Sequence, residues 1–131
     1  MAKKRNFFSH SSTACFTQGM LYMMKQYDYG GYGLYWRIIE SLFVEEPCVL
    51  EFGEKTYEAF SSKKFPPKRV QEFIHDCIEK FELFQADDQY FYSEWVVEEA
   101  EKVDKLIEQR INAVNSRWDK EREKNESNTS V

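Results

Sequence analysis

Five side chains suited to a phosphate backbone fall between positions 63 and 71 of this chain: Lys63, Lys64, Lys68, Arg69 and Gln71. Lysine and arginine neutralise phosphates, and Arg, Lys or Gln near a helix start can reach base edges in a major groove. Lys3, Lys4 and Arg5 form a second basic group, of the kind that enters a minor groove as an arm. The commoner fate of such groups is plain solvation at a helix end or a chain terminus. Glu72, Asp76 and Glu79 fall on the outer face of the same helix and repel phosphate, as do Asp87 and Asp88 further along. A net charge of −5 also argues against coating nucleic acid over the whole surface. Two readings follow: a DNA contact limited to one patch, or a helix face that meets protein.

Other chemistries fare worse. Gly30-Gly31-Tyr32-Gly33 ahead of an apolar helix invites a phosphate-loop reading. Such a loop follows a strand and ends in Lys-Ser or Lys-Thr, whereas here a helix precedes and Leu34-Tyr35-Trp36 follows. The glycines are read instead as a tight turn with positive φ between two helices. Arg37 and Glu40 are read as solvated or paired surface. Cys15, Cys48, Cys77, His10 and His75 lack metal-ligand spacing, and Cys77 lies in an apolar stripe. No carboxylate pair or Cys/His pair stands out, so the sequence predicts no catalytic residue, no metal and no cofactor.

The elements that position these residues can be read from period and punctuation. At 131 residues and 42% hydrophobic content the chain is one domain with a real core. An odd number of cysteines without a CxxC pair fits a reducing cytoplasm. No apolar run approaches the roughly 20 residues of a membrane span. Residues 1–16 lack periodicity and are read as an arm. Thr17 is an N-cap for a first helix that carries Met20, Leu21, Met24 and Tyr27 and ends near Asp28. A second helix runs from Gly33 to Val44 and stops before Pro47. Cys48 to Phe52 reads as a short strand and Glu54 to Lys64 as a short helix. After Phe65-Pro66-Pro67, a helix carries Val70, Phe73, Ile74, Cys77, Ile78 and Phe81 on one face.

Residues 82–86 and 90–93, separated by an acidic turn, predict a β-hairpin. From Ser93 a long helix runs to about Lys124, followed by a disordered tail over 125–131. Its apolar positions Val96, Ala100, Val103, Ile107, Ile111, Val114 and Trp118 are spaced 4, 3, 4, 4, 3, 4. A small domain cannot cover that length, so Val103, Ile107, Ile111, Val114 and Trp118 are a candidate interface with another subunit. The competing reading is a solvated single helix.

Helix, helix, short strand, helix, hairpin and helix is the order of a winged helix-turn-helix, with the short strand joining the hairpin. The fold class is therefore mainly α with a small β-hairpin (α+β), with the winged helix over 17–94 and a long C-terminal helix over 95–124.

Three stretches are also familiar. Phe7-Phe8-Ser9-His10, the run from Gly31 to Glu40, and Phe81-Glu82-Leu83-Phe84 with Tyr90-Phe91-Tyr92-Ser93 resemble a family of phage and mobile-element proteins. These carry an N-terminal winged-helix domain similar to that of replisome organisers and DnaD-type primosome proteins. The resemblance runs from about Phe7 to Trp95. It implies a non-enzymatic role in DNA replication, through DNA binding, self-association of the domain, or both. Partners would be DNA, a second copy or a replication protein. Ser11 and Thr17 stand where such proteins usually carry acidic residues, and Cys15 where an arginine is common, so a contact made by that loop would differ here. Relatives often continue into a second domain, whereas this chain is expected to end after its long helix. The alternatives are an oligomerisation or adaptor module without DNA contact, or a small transcriptional regulator.

Overall fold

The computed structural model describes the backbone of residues 14–129 and the side chains of residues 14–122. A single 3₁₀ turn, Ala14–Phe16, leads to Thr17, whose hydroxyl accepts from the Met20 N–H and opens α1 (Gln18–Val44). Helix α1 has two limbs. They meet at Asp28, the one residue inside it with non-helical angles (φ 59°, ψ −158°).

The first helix thus ends where the sequence places its end, but the turn is not made by the glycines. Gly30, Gly31 and Gly33 sit within the second limb, and Gly53 is the glycine with positive φ among the described residues. The reason is packing. A Cβ on Gly31 would overlap Tyr27 Cβ and come within 3.0 Å of Met23 Sδ, so the residue lets the two limbs close on each other. The sharp dihedral change is left to Asp28.

The second limb ends at Val44, with the Glu45 N–H donating to Leu42 O. Strand β1 is only Leu50–Glu51, shorter than the expected Cys48 to Phe52. Helix α2 (Glu54–Ala59) is likewise shorter than expected, so Lys63 and Lys64 lie in a loop and not on a helix. Ser61 Oγ donates to Glu58 O, and Ser62 and Phe65 exchange two backbone hydrogen bonds, which together use up the groups a longer helix would need. Helix α3 (Pro67–Glu79) has Pro67 in its first turn, where the missing N–H costs nothing. It closes at Lys80, and Glu82 at φ 54° turns the chain toward the sheet.

Strands β2 (Gln85–Ala86) and β3 (Tyr90–Tyr92) form the hairpin, and β1 joins it antiparallel in the order β1-β3-β2. Leu50 pairs with Phe91 and Gln85 with Tyr92. The third-strand expectation holds, and the succession of second limb, β1, α2, α3, β2 and β3 is that of a winged helix-turn-helix. Helix α4 (Glu94–Thr129) follows, with Ser93 Oγ accepting from the Val96 N–H. It runs five residues beyond the expected end at Lys124, so the tail expected over 125–131 is helical through Thr129. Residues 125–129 contain no glycine or proline to stop it.

The core gathers Met23, Ile38, Ile39, Leu42 and Phe43 of α1, Val70, Phe73, Ile74 and Cys77 of α3, Phe84, Phe91 of β3 and Val96 of α4. Burying side chains of this size stabilises by about 1.5–3 kcal/mol each before entropy is charged. Aromatic contacts tie the layers together. Tyr27 meets Phe73 edge-on at 5.0 Å, Tyr35 stacks on Phe84 at 5.6 Å, and Trp36 meets Trp95 of α4 at 6.0 Å.

Candidate nucleic-acid interface

The α2–α3 connection is the origin of the site. Because α2 stops at Ala59, residues 60–66 cross over the second limb of α1 and present Lys63 and Lys64 to solvent. Phe60 and Phe65 anchor the connection in the core on either side of the two lysines. Beneath it runs an open groove of about 520 Å³, floored by Gly30, Gly33 and Leu34 and walled by Arg37, Ser61, Ser62, Lys63 and Lys64. No carboxylate lines this groove among the described residues.

Arg37 belongs to the site although its sequence position reads as ordinary surface. Its Nη2 donates to Ala59 O at 3.4 Å, which holds the guanidinium beside the lysine loop. A contact across 22 residues leaves no periodic trace in the sequence. Lys68 is exposed in the first turn of α3, and Gln71 is exposed one turn on. The positive end of the helix dipole lies at that same end. Among the described residues no carboxylate lies within 4.0 Å of the amino groups of Lys63, Lys64 or Lys68.

Arg69 separates from this group. It is half-buried, with its guanidinium over the rings of Tyr27 at 5.0 Å and Phe65 at 5.3 Å. That cation–π seat turns it toward the core and the first limb of α1. Lys3, Lys4 and Arg5 lie outside the described residues.

The acidic side chains divide in an unexpected way. Asp76, expected on the outer face of α3, is buried at 6% exposure. Its Oδ2 accepts from Tyr27 OH at 2.5 Å and Gln26 Nε2 at 3.1 Å, while Lys80 stands 3.8 Å from Oδ1. Burial first, and then the hydrogen bond to Asp76 and its charge, push the Tyr27 hydroxyl well above its ordinary pKa. Asp76 is thus a core fastener between α1 and α3 and is removed from the surface that would oppose a phosphate.

Glu72 and Glu79 remain exposed, and Glu79 lies 3.5 Å from His75. At the hairpin tip the Asp87 carboxylate accepts the N–H groups of Gln89 at 2.8 Å and Tyr90 at 2.7 Å. Those bonds, the one from Tyr90 foremost, hold Asp87 below the usual carboxylate range. With Asp88 beside it, the wing tip is acidic. The cations Lys63, Lys64 and Lys68 thus lie just before and at the start of α3, and Asp87 and Asp88 at the wing tip.

His10 lies outside the described residues, and the other nucleophile and ligand candidates form no metal-binding group among the described residues. Cys48, in the connection between α1 and β1, and Cys77, on α3, are buried free thiols, and burial raises the Cys77 thiol well above its ordinary value. No group of three or more His, Cys, Asp or Glu among the described residues is placed to hold a metal. No helix among them is long and apolar enough to cross a membrane.

Along α4 the candidate interface residues change environment with distance from the domain. Val96 and Ala100 are buried, Val103 and Ile107 are half-buried, and Ile111, Val114 and Trp118 are 53%, 48% and 58% exposed.

Comparison with curated proteins and with solved structures gives no match. Residues 7–96 do match a family, over more than half of the chain and nearly the span of the resemblance drawn from the sequence. That span takes in the kinked α1, the lysine loop, α3 and the hairpin. The chain belongs to the family described as Lin1244/Lin1753-like, N-terminal.

Proposed function

We propose that this domain is a non-enzymatic DNA-binding module that grips a duplex backbone with Arg37, Lys63, Lys64 and Lys68. Its setting is the initiation of phage or mobile-element DNA replication in the cytoplasm. The observation that carries the reading is the groove at the α2–α3 connection, where cations from α1 and the loop converge and no described carboxylate intrudes. Burial of Asp76 supports it by removing one of the charges that opposed phosphate at α3. The replication setting rests on the resemblance of residues 31–40 and of the hairpin to winged-helix domains of replisome organisers. The acidic wing argues for a grip centred on the start of α3, with the wing held off the duplex.

A second reading, a protein-facing adaptor, is favoured by the exposed carboxylates Glu72 and Glu79 on α3 and Asp87 and Asp88 at the hairpin tip. Fluorescence anisotropy with labelled duplex and single strand at low salt separates the two. The DNA reading expects duplex binding that falls at least about tenfold when Arg37, Lys63, Lys64 and Lys68 become Ala together. Failure to bind either nucleic acid at low salt leaves the adaptor reading.

A further inference from the structure

Two features of the sequence have no task in the DNA reading: the pair Phe7-Phe8 and the basic group Lys3-Lys4-Arg5. A groove of about 780 Å³ lies where the first turn of α1, the end of α3 and the start of α4 meet. Its aromatic wall is Tyr35, Trp36 and Trp95, in which Trp36 meets Tyr35 edge-on at 5.3 Å and Trp95 at 6.0 Å. A wall of rings set edge to face suits further aromatic side chains. Ala14, the first described residue, stands in the wall of the same groove, so the chain that precedes it departs from the groove itself. The family match spans residues 7–96, opening at Phe7 and closing just after Trp95. The segment before Ala14 and the aromatic wall therefore belong to one shared unit.

Charge and length extend the fit. Further along α4 a second hollow is lined by Glu46, Glu101 and Asp104, with no described cation in its lining. Trp95 and Asp104 are nine positions apart on the helix, a rise of about 14 Å. Phe8 and Lys4 are four positions apart, about 13 Å of extended chain. A segment that seats its phenylalanines at the tryptophans can thus set its cations at the carboxylates.

We propose that residues 3–8 are a strap that docks along α4. Phe7 and Phe8 enter the groove at Trp36 and Trp95, and Lys3, Lys4 and Arg5 lie on the hollow of Glu46, Glu101 and Asp104. The strap ties the first turns of α4 to α1 and commits the basic arm to this face of the domain. The docking stands apart from the DNA reading and needs none of the four cations assigned to it.

Paramagnetic broadening in NMR spectra of the full chain tests the strap. A spin label at Asn6→Cys, on a Cys15→Ser background with Cys48 and Cys77 buried, should broaden the amides of residues 95–104 more strongly than those of residues 62–65. Phe7→Ser with Phe8→Ser should restore the lost signals, and reversal of Lys3, Lys4 and Arg5 to Glu should restore them in part. The core amides of Val70 and Phe73 should keep their shifts in both variants, which shows that the fold is retained. Mixing spin-labelled chain with isotope-enriched, unlabelled chain should leave residues 95–104 sharp. Absence of broadening at 95–104, stronger broadening at 62–65, indifference to either set of substitutions, or equal broadening in the mixture would each overturn the proposal.

Discussion

Asp76 enters the core because two donors of α1 meet it there. Tyr27 OH and Gln26 Nε2 satisfy one carboxylate oxygen, and Lys80 stands near the other at the protein surface. Removing the acceptor leaves a buried hydroxyl without its bond. Asp76→Ala should therefore cost about 2 kcal/mol in urea unfolding. The loss should be less than additive with Tyr27→Phe, giving a coupling of about 1 kcal/mol or more in a double-mutant cycle. Additive losses would show that the two residues act separately.

Asp87 has the opposite role, fully exposed and local. Its carboxyl is lowered in the fold, so the turn stabilisation it provides is present above the ordinary aspartate range near pH 4. That stabilisation is lost as pH falls through the lowered value. The amide signals of Gln89 and Tyr90 should move together in an acid titration by NMR, and Asp87→Ala should abolish the movement. At this scale the sequence is a partial guide. The acidic turn and the Ser93 cap are legible because their partners are two to three residues away. The burial of Asp76 is not, because its partner Tyr27 is 49 residues away and α3's own period puts position 76 on the flank.

Elements show the same division between local and distant causes. The apolar stripe of α3 reveals its face and its Pro67 start, since a 3.6-residue period and a proline are local signals. The end of α2 depends on Ser61, Ser62 and Phe65 closing a turn, which composition does not announce. The glycine stretch misleads for a related reason. Three glycines in four residues look like a turn, yet what they provide is room, at Gly31 for Tyr27 and Met23. Substitution separates the two roles. A methyl group at Gly33 would meet nothing within 4 Å among the described residues, so Gly33→Ala in this helical limb should stabilise by about 0.5–1 kcal/mol. Gly31→Ala should destabilise by about 1–3 kcal/mol through overpacking. Thermal unfolding checks both, and loss of stability at Gly33 would restore a turn there.

For the whole molecule, an overall charge of −5 conceals a basic edge, because no described carboxylate lines the groove at the α2–α3 connection. The lysines of that edge are legible in the sequence, but the membership of Arg37 and the withdrawal of Arg69 are not, since both depend on how α1 lies against the α2–α3 connection. The long helix is legible throughout as a stripe, and the structure adds where the domain stops covering it. The basic edge is the central claim, and its salt dependence is the most direct measurement. Duplex affinity followed by anisotropy from about 50 to about 200 mM salt should fall with a log–log slope of about −3 to −4, from four phosphate contacts. The variant with Lys63→Ala and Lys64→Ala should lose about two units of that slope. A slope near zero, or one unchanged in the variant, would contradict the assignment of this edge to DNA.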